Sequence, residues 1–175
     1  FLSRKLFGKR ALLIFGDSDY GKTALAKSVA VEITKHDYFL KTGSVDSLRD
    51  VDKDDLIKEG VCLVFDEVKI GEAQFRADPP PCSFDNMKKT LEISNSTTVS
   101  TRYNDVTLPA GIARIFTANC VTVQEWHYGL PADVFSCTVA QRLAYNADIK
   151  AVLKRIAVCT VGWNLISQEL RDAHD

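Results

Sequence analysis

Of the chain's 175 residues, 46% are apolar and 26% charged, and its 22 basic and 23 acidic side chains leave a net charge of −1. That is the balance of one ordinary globular domain with a real core, and it carries no global basic field that would advertise a nucleic-acid binder, so any such contact must come from a local patch. No apolar run nears the ~20 residues that span a bilayer, no signal-peptide pattern is visible, and the five scattered cysteines (Cys62, Cys82, Cys120, Cys137 and Cys159) form no CxxC pair; an odd, scattered set argues against a disulfide framework or a zinc site and for a reducing compartment, cytosol or nucleus.

Residues 1–10 hold Arg4, Lys5, Lys9 and Arg10 and no acid, and read as a helix end or linker. Ala11–Phe15 is an apolar run expected to be a buried strand. After a glycine-bounded loop, Leu25, Val29 and Ile33 recur at helical spacing beside the small Ala26 and Ala30, which predicts a helix packed closely on a sheet. Asp37–Lys41 reads as a second strand, Ser47–Glu59 as an acidic, solvated helix, and Val61–Phe65 as a third strand. Pro79–Pro81 is a loop. Ser83 opens a helix with Phe84, Met87 and Leu91 on one face, and Thr97–Leu108 reads as a hairpin around Tyr103-Asn104-Asp105. Ile112–Ala118 is a fourth core strand, a capping-box spacing starts a short helix at Thr122–Glu125, Val139–Tyr145 and Ala147–Leu153 read as helical, and Ile156–Val161 is the last strand. Strands alternating with helices predict an α/β fold with a mainly parallel sheet of five strands flanked by helices.

Gly16-Asp17-Ser18-Asp19-Tyr20-Gly21-Lys22-Thr23 has the spacing GxxxxGK[ST]. Glycines at those positions let the backbone wrap so that its N–H groups face phosphate oxygens, and the following helix start adds partial positive charge. Lys22 is placed to neutralise the β- and γ-phosphates of ATP, and Thr23 to offer its hydroxyl to Mg²⁺. An apolar strand before the loop and an amphipathic helix after it supply the context the motif needs. Asp17 and Asp19 are unusual acids for such a loop; they either face solvent or weaken nucleotide affinity.

Val61–Phe65 runs into Asp66-Glu67. Acids at the carboxyl end of a buried parallel strand lie where ligands bind in such sheets. Asp66 would hold Mg²⁺ through its water shell, and Glu67 would orient and deprotonate the attacking water. Arg114–Asn119 is another apolar strand ending in an amide. With a strand inserted between the two motif-bearing ones, Asn119 would sit beside the γ-phosphate; alone, it would be a strand-end turn residue.

In this order, GDSDYGKT, VFDE, the hairpin STRYNDVTLPAG and RIFTAN together resemble superfamily 3 helicases, and within them the helicase domains of the replication-initiator (Rep) proteins of circular single-stranded DNA viruses. The segment Thr98–Asn119 is the most specific part, and the resemblance covers about residues 9–162. It implies a P-loop NTPase fold of the ASCE/AAA+ type with a β-hairpin before the asparagine-ended strand, ATP and Mg²⁺ as cofactors, and hexameric rings that move along single-stranded DNA. On the hairpin, Arg102 would grip the DNA backbone with Tyr103 stacking beside it, and Lys88 and Lys89 would add positive charge to the pore. Arg155 is the best match for an arginine that reaches the neighbour's γ-phosphate, with Lys154 in support and Arg142 as the alternative. Each of these cations also has an ordinary reading, as an edge-strand guard or a solvated helix residue.

Two departures bear on function. His36, His127 and His174 are scattered, so the histidine pair of a nicking domain is not found and nicking is not expected of this chain. The segment that closes the ring is missing or reduced to residues 1–8, a linker or remnant of an oligomerisation helix, so the isolated chain is expected to be a monomer with weak ATPase activity; residues 163–175 are expected to be a tail rather than a helical lid. The rival readings are a superfamily 3 ATPase of an RNA virus, disfavoured because no amphipathic membrane helix or cysteine cluster is present, a nucleotide-binding oligomerisation module without helicase activity, and a host-integrated relic that has lost activity.

Overall fold

The computed structural model describes residues 9–35, 40–42, 46–51, 53–56, 61–67, 84–101, 104–119 and 150–161. The apolar runs of the sequence become β1 (Ala11–Gly16), β3 (Cys62–Phe65), β6 (Ala113–Asn119) and β7 (Ile156–Thr160), joined by the short edge strand β2 (Leu40–Thr42). They form one sheet in the order β2-β3-β6-β1-β7, with every neighbouring pair parallel. β6 therefore lies between the strand that feeds the glycine-bounded loop and the strand that ends at Asp66.

A parallel sheet is covered on both faces, which is why its central strands are apolar throughout rather than alternating. Ala11, Leu13 and Phe15 of β1 join Leu63, Phe65, Phe116 and Ala118 on one face. Leu12 and Ile14 join Cys62, Val64, Ala113 and Ile115 on the other. Each fully buried Leu, Ile or Phe contributes roughly 1.5–3 kcal/mol relative to exposure. Phe65 and Phe116 are register partners on β3 and β6 and stack with centroids 4.5 Å apart and planes 5° from parallel.

Helix α1 (Lys22–Thr34) covers the second face. Its buried line is Lys22, Ala26, Ala30 and Thr34, not the larger residues. Leu25 is exposed, and Val29 and Ile33 are only partly buried at the margin. The expected Leu25-Val29-Ile33 stripe is thus rotated by about one residue: the methyl side chains face the sheet because only they allow the helix axis to approach it closely.

The region expected to form one helix over Ser47–Glu59 instead gives a 3-10 turn at Asp46–Asp50 and a single helical turn, α2 (Lys53–Leu56). Five aspartates lie in the segment 46–55, and their short carboxylates compete with the helix for backbone N–H groups. Leu48 and Leu56 are nonetheless buried in the core on the first face. The second strand is described only over Leu40–Thr42, at the end of the expected span. The helical segments expected at Thr122–Glu125 and Val139–Tyr145, like the linker 1–8 and tail 163–175, lie outside the described residues; of Ala147–Leu153, residues 150–153 are helical and form α4.

Helix α3 (Phe84–Leu91) packs Met87 and Leu91 on the first face. The hairpin follows it, β4 (Thr97–Ser100) antiparallel to β5 (Asp105–Leu108). Its alternation buries Val99, Val106 and Leu108 and turns Thr98 and Thr107 outward, their hydroxyls 3.3 Å apart. The hairpin is fastened to α3 by a paired amide. Asn86 Nδ2 donates to the Ser100 carbonyl at 2.7 Å, and Asn86 Oδ1 accepts from the Ser100 N–H at 3.1 Å.

Arg114, fully buried on β6, completes this layer. Its NH1 donates to the carbonyls of Thr90 (2.6 Å) and Lys89 (3.1 Å), capping the last turn of α3 with positive charge where the helix dipole is negative. Burial pushes the guanidinium down to about 10, and the nearby Glu92 carboxylate acts in the opposite direction. Nε and NH2 of Arg114 have no protein partner among the described residues.

Two stability predictions come from these contacts. Arg114→Ala removes the cap of α3 and opens a cavity, and is expected to lower the unfolding free energy by ~3 kcal/mol in urea denaturation followed by circular dichroism; wild-type stability in the variant would show that the buried guanidinium contributes nothing net. Gly16 ends β1 against β7, where a Cβ would lie 2.1 Å from the Val161 carbonyl oxygen. Gly16→Ala must force the two strands apart and is expected to cost ~2 kcal/mol or more; an unchanged denaturation midpoint would contradict that approach.

Candidate nucleotide-binding and hydrolytic site

The loop between β1 and α1 turns on two left-handed residues, Asp19 (φ 66°) and Gly21 (φ 70°). Gly21 supplies that conformation without steric cost, and aspartate is among the few other residues that tolerate it. Asp17, Ser18 and Asp19 are exposed, so both loop acids face solvent. Lys22, the first residue of α1, is only 5% exposed. Its Nζ donates to the carbonyl of Asp17 across the loop, and among the described residues no carboxylate pairs with it. A nearly buried ammonium held only by a carbonyl favours an incoming anion.

The next residue faces the acids. Thr23 Oγ1 donates to Asp66 Oδ1 at 2.8 Å, joining the start of α1 to the end of β3. Asp66 follows the buried Cys62–Phe65 strand and is part-exposed, and Glu67 is exposed. Glu67 has φ 56°, a left-handed backbone in a residue other than glycine, and such conformations persist only where the surroundings hold them.

β6 supplies the third component. Asn119 is the register partner of Gly16, so it lies beside the mouth of the loop. Its Nδ2 donates to Glu67 Oε1 at 3.1 Å; a carboxylate can only accept here, so the amide nitrogen faces it. Two residues earlier on the same face is Thr117, which the sequence analysis did not single out. Its hydroxyl donates to Asp66 Oδ1 at 2.7 Å and accepts from the Glu67 N–H at 2.9 Å. A threonine in an apolar strand reads as an ordinary β-former. The available signal was its place two residues before the candidate asparagine, hence on the same side of the strand.

Lys22, Thr23, Asp66, Glu67 and Asn119 are thus gathered at the carboxyl edge of the sheet. Thr23 and Asp66 present neighbouring oxygens, a donor set that suits a hard cation such as Mg²⁺. Among the described residues no three His, Cys, Asp or Glu side chains could hold a metal between them, so phosphate or water oxygens would have to complete the coordination. Cys62, buried behind the site, has its thiol pushed up to about 12 by burial and is a packing residue rather than a nucleophile.

The remaining candidates lie elsewhere. Arg155 precedes β7 at the opposite, amino edge of the sheet, where its carbonyl accepts from the Ala11 N–H; five residues of strand, roughly 16 Å, separate it from the loop edge. Its Nε pairs with Glu92 Oε2 at 3.1 Å and its NH1 donates to the Ala151 carbonyl at 2.7 Å. Lys88 is half-buried and Lys89 exposed in the last turn of α3, and the Lys89 carbonyl accepts from Arg114 and from Thr97 Oγ1. Arg102, Tyr103 and Arg142 lie outside the described residues.

No protein-family model matches the chain, and no curated protein does. It is similar to three solved structures of JCV helicase. One is bound to N-(4-(2-(thiazolo[5,4-c]pyridin-2-yl)phenoxy)phenyl)acetamide, at TM-score 0.41 and 15% identity over 87% of this chain and 36% of that one. The second is an inhibitor-bound form, at TM-score 0.43 and 18% identity over 94% and 37%. The third, JCV helicase, has TM-score 0.38 and 17% identity over 95% and 40%. The chain spans well under half the length of these structures. Its own topology is that of a P-loop NTPase: a parallel sheet flanked by helices, a phosphate-loop sequence between β1 and α1, and a strand inserted between the loop strand and the acidic one.

Proposed function

We propose that residues 9–162 are the ATP-hydrolysing motor of a viral DNA helicase of superfamily 3 type, with ATP hydrolysis coupled to movement on single-stranded DNA as in a Rep protein. The observation that carries the reading is the convergence of Lys22, Thr23, Asp66, Glu67 and Asn119 from three adjacent parallel strands and one helix start. A nucleotide-binding scaffold would need the loop and Lys22; it would not need a carboxylate and an amide held against each other beside them.

In this reading Lys22 leaves the Asp17 carbonyl for the β- and γ-phosphate oxygens of ATP. Thr23 and Asp66 would hold Mg²⁺, Asp66 through water, and the bound ion would neutralise charge on the phosphates. Glu67 accepts the proton of the attacking water. Asn119, lying beside Gly16, orients that water and senses the γ-phosphate. Arg155, or Arg142, acts on the neighbouring subunit's nucleotide in a hexameric ring; Arg155 must first exchange Glu92 and Ala151 for that partner. Arg102 and Tyr103, with Lys88 and Lys89, contact the DNA, and the protein works in the reducing nucleus or cytoplasm of a host cell.

Lys22→Ala is expected to lower the affinity for a fluorescent ATP analogue at least about tenfold, whereas Glu67→Gln binds it as wild type and loses ~10²-fold or more in turnover. Undiminished affinity in the first variant would refute the phosphate-loop assignment, and undiminished turnover in the second would assign the base elsewhere. Arg102→Ala is expected to weaken single-stranded DNA binding equally for all sequences and to reduce the salt slope by about 1; an unchanged slope in fluorescence anisotropy would remove Arg102 from the DNA path.

A further inference from the structure

We propose that Thr117 is a positioning residue for hydrolysis: its single hydroxyl sets the metal-side and base-side carboxylates on one face of the sheet. The inference rests on the ATPase reading of the site and adds to it a residue whose only polar group is one hydroxyl, with one proton to donate and two lone pairs to accept.

The hydrogen-bond directions are fixed by chemistry. Glu67 N–H can only donate, so Thr117 Oγ1 accepts there at 2.9 Å. The Thr117 proton is then free to go to the carboxylate of Asp66, at 2.7 Å. Thr117 is 0% exposed, and the residues before it on its face of β6 are the apolar Ala113 and Ile115. A hydroxyl in such surroundings is costly unless satisfied, and both bonds that satisfy it run to the acid pair.

Strand geometry shows what those bonds accomplish. Consecutive residues of an extended strand point to opposite faces. Asp66 faces α1, where Thr23 meets it. An extended Glu67 would face the other way, yet its Oε1 reaches Asn119 on the same face as Thr117. The left-handed turn at Glu67, φ 56°, permits this. The Thr117 hydroxyl holds the N–H of that turn.

The bond to Asp66 has a second consequence. Thr23 and Thr117 both donate to Oδ1. Thr23 can turn its lone pairs toward a metal and still donate its proton to Asp66, but it holds the carboxylate from the loop side. The bond from Thr117 comes from the sheet rather than the loop, so it keeps the carboxylate aimed while the loop rearranges. Outer partners of this kind orient the ligands of metal sites.

The test compares wild type, Thr117→Val, which keeps the shape and removes the hydroxyl, and Thr117→Ser, which keeps the hydroxyl. Binding of a fluorescent ATP analogue is titrated without metal and then against Mg²⁺, and steady-state turnover is measured alongside. Thr117→Val is expected to bind the analogue without metal within about threefold of wild type. It should need about tenfold more Mg²⁺ to reach half of the metal-dependent change, and lose about tenfold to a hundredfold in kcat with little change in KM. Thr117→Ser should recover most of both losses. A Val variant that matches wild type in Mg²⁺ requirement, or a Ser variant as impaired as Val, overturns the proposal. Wild type that binds no ATP analogue overturns the ATPase reading itself, and this inference with it.

Discussion

The register of three parallel strands is the constraint on which the site depends. Gly16 of β1 lies opposite Asn119 of β6, and Phe65 of β3 opposite Phe116. Continued by one residue, the second pairing brings Asp66 level with Thr117. Side chains alternate across a strand, so a slip of one residue in β6 would send Thr117 and Asn119 to the far face and bring Phe116 and Ala118 to the acids. Such a slip is opposed throughout the strand: it would expose Phe116 to the α1 side, break its stack on Phe65, and push Ile115 into the layer under α3. Packing of apolar side chains thus fixes, to within a single residue, where two polar ones stand.

The same logic explains what was legible in the sequence. The glycine-bounded loop, the acids after Val61–Phe65 and the asparagine after Arg114–Ala118 are all marked by local spacing, because each sits where an apolar run stops. The strand inserted between the two motif-bearing ones was expected from the resemblance that the motifs carry together; the rest of the sheet order was not. Thr117 was not legible because nothing local separates a threonine that bonds two acids from one that merely favours a strand; its partners are 50 and 51 residues away in sequence. The ion pair of Arg155 with Glu92, 63 residues apart, was hidden in the same way. The close packing of α1 on the sheet beside Ala26 and Ala30 was legible, and Val29 and Ile33 pack at its margin; Leu25 is exposed because close approach favours the methyl side chains at the centre of the contact. Where it is described, the acidic segment expected as one helix over Ser47–Glu59 is a 3-10 turn and a helical turn, because its aspartates compete for the backbone N–H groups that a continuous helix would use.

Arg114 shows how the far end of β6 is used. A buried guanidinium is expensive, and here burial lowers its pKa to about 10. What it gains is the carboxyl end of α3, whose Lys89 and Thr90 carbonyls it caps, within the influence of Glu92. Glu92 in turn binds Arg155 in front of β7 and accepts from the Ser94 N–H. Lys89's carbonyl also receives Thr97 at the start of the hairpin. Helix α3, the turn after it and the hairpin are therefore pinned to the amino edge of the sheet through backbone carbonyls and one carboxylate, not through packing alone.

β6 consequently has two chemically different ends. At its carboxyl end Thr117 and Asn119 touch the acids, and at its amino end Arg114 holds the layer that carries the hairpin. The strand between them is buried and bonded on both sides, to β1 and β3, and a strand so placed does not stretch or slide without breaking two ladders. In the motor reading this gives strands β4 and β5 a fixed seat, so their displacement would have to come from rotation of the whole domain against its neighbours rather than from flexing between the acids and α3. In that reading a rigid-body step requires neighbours, so assembly would be a condition of work as well as of catalysis by an arginine in trans.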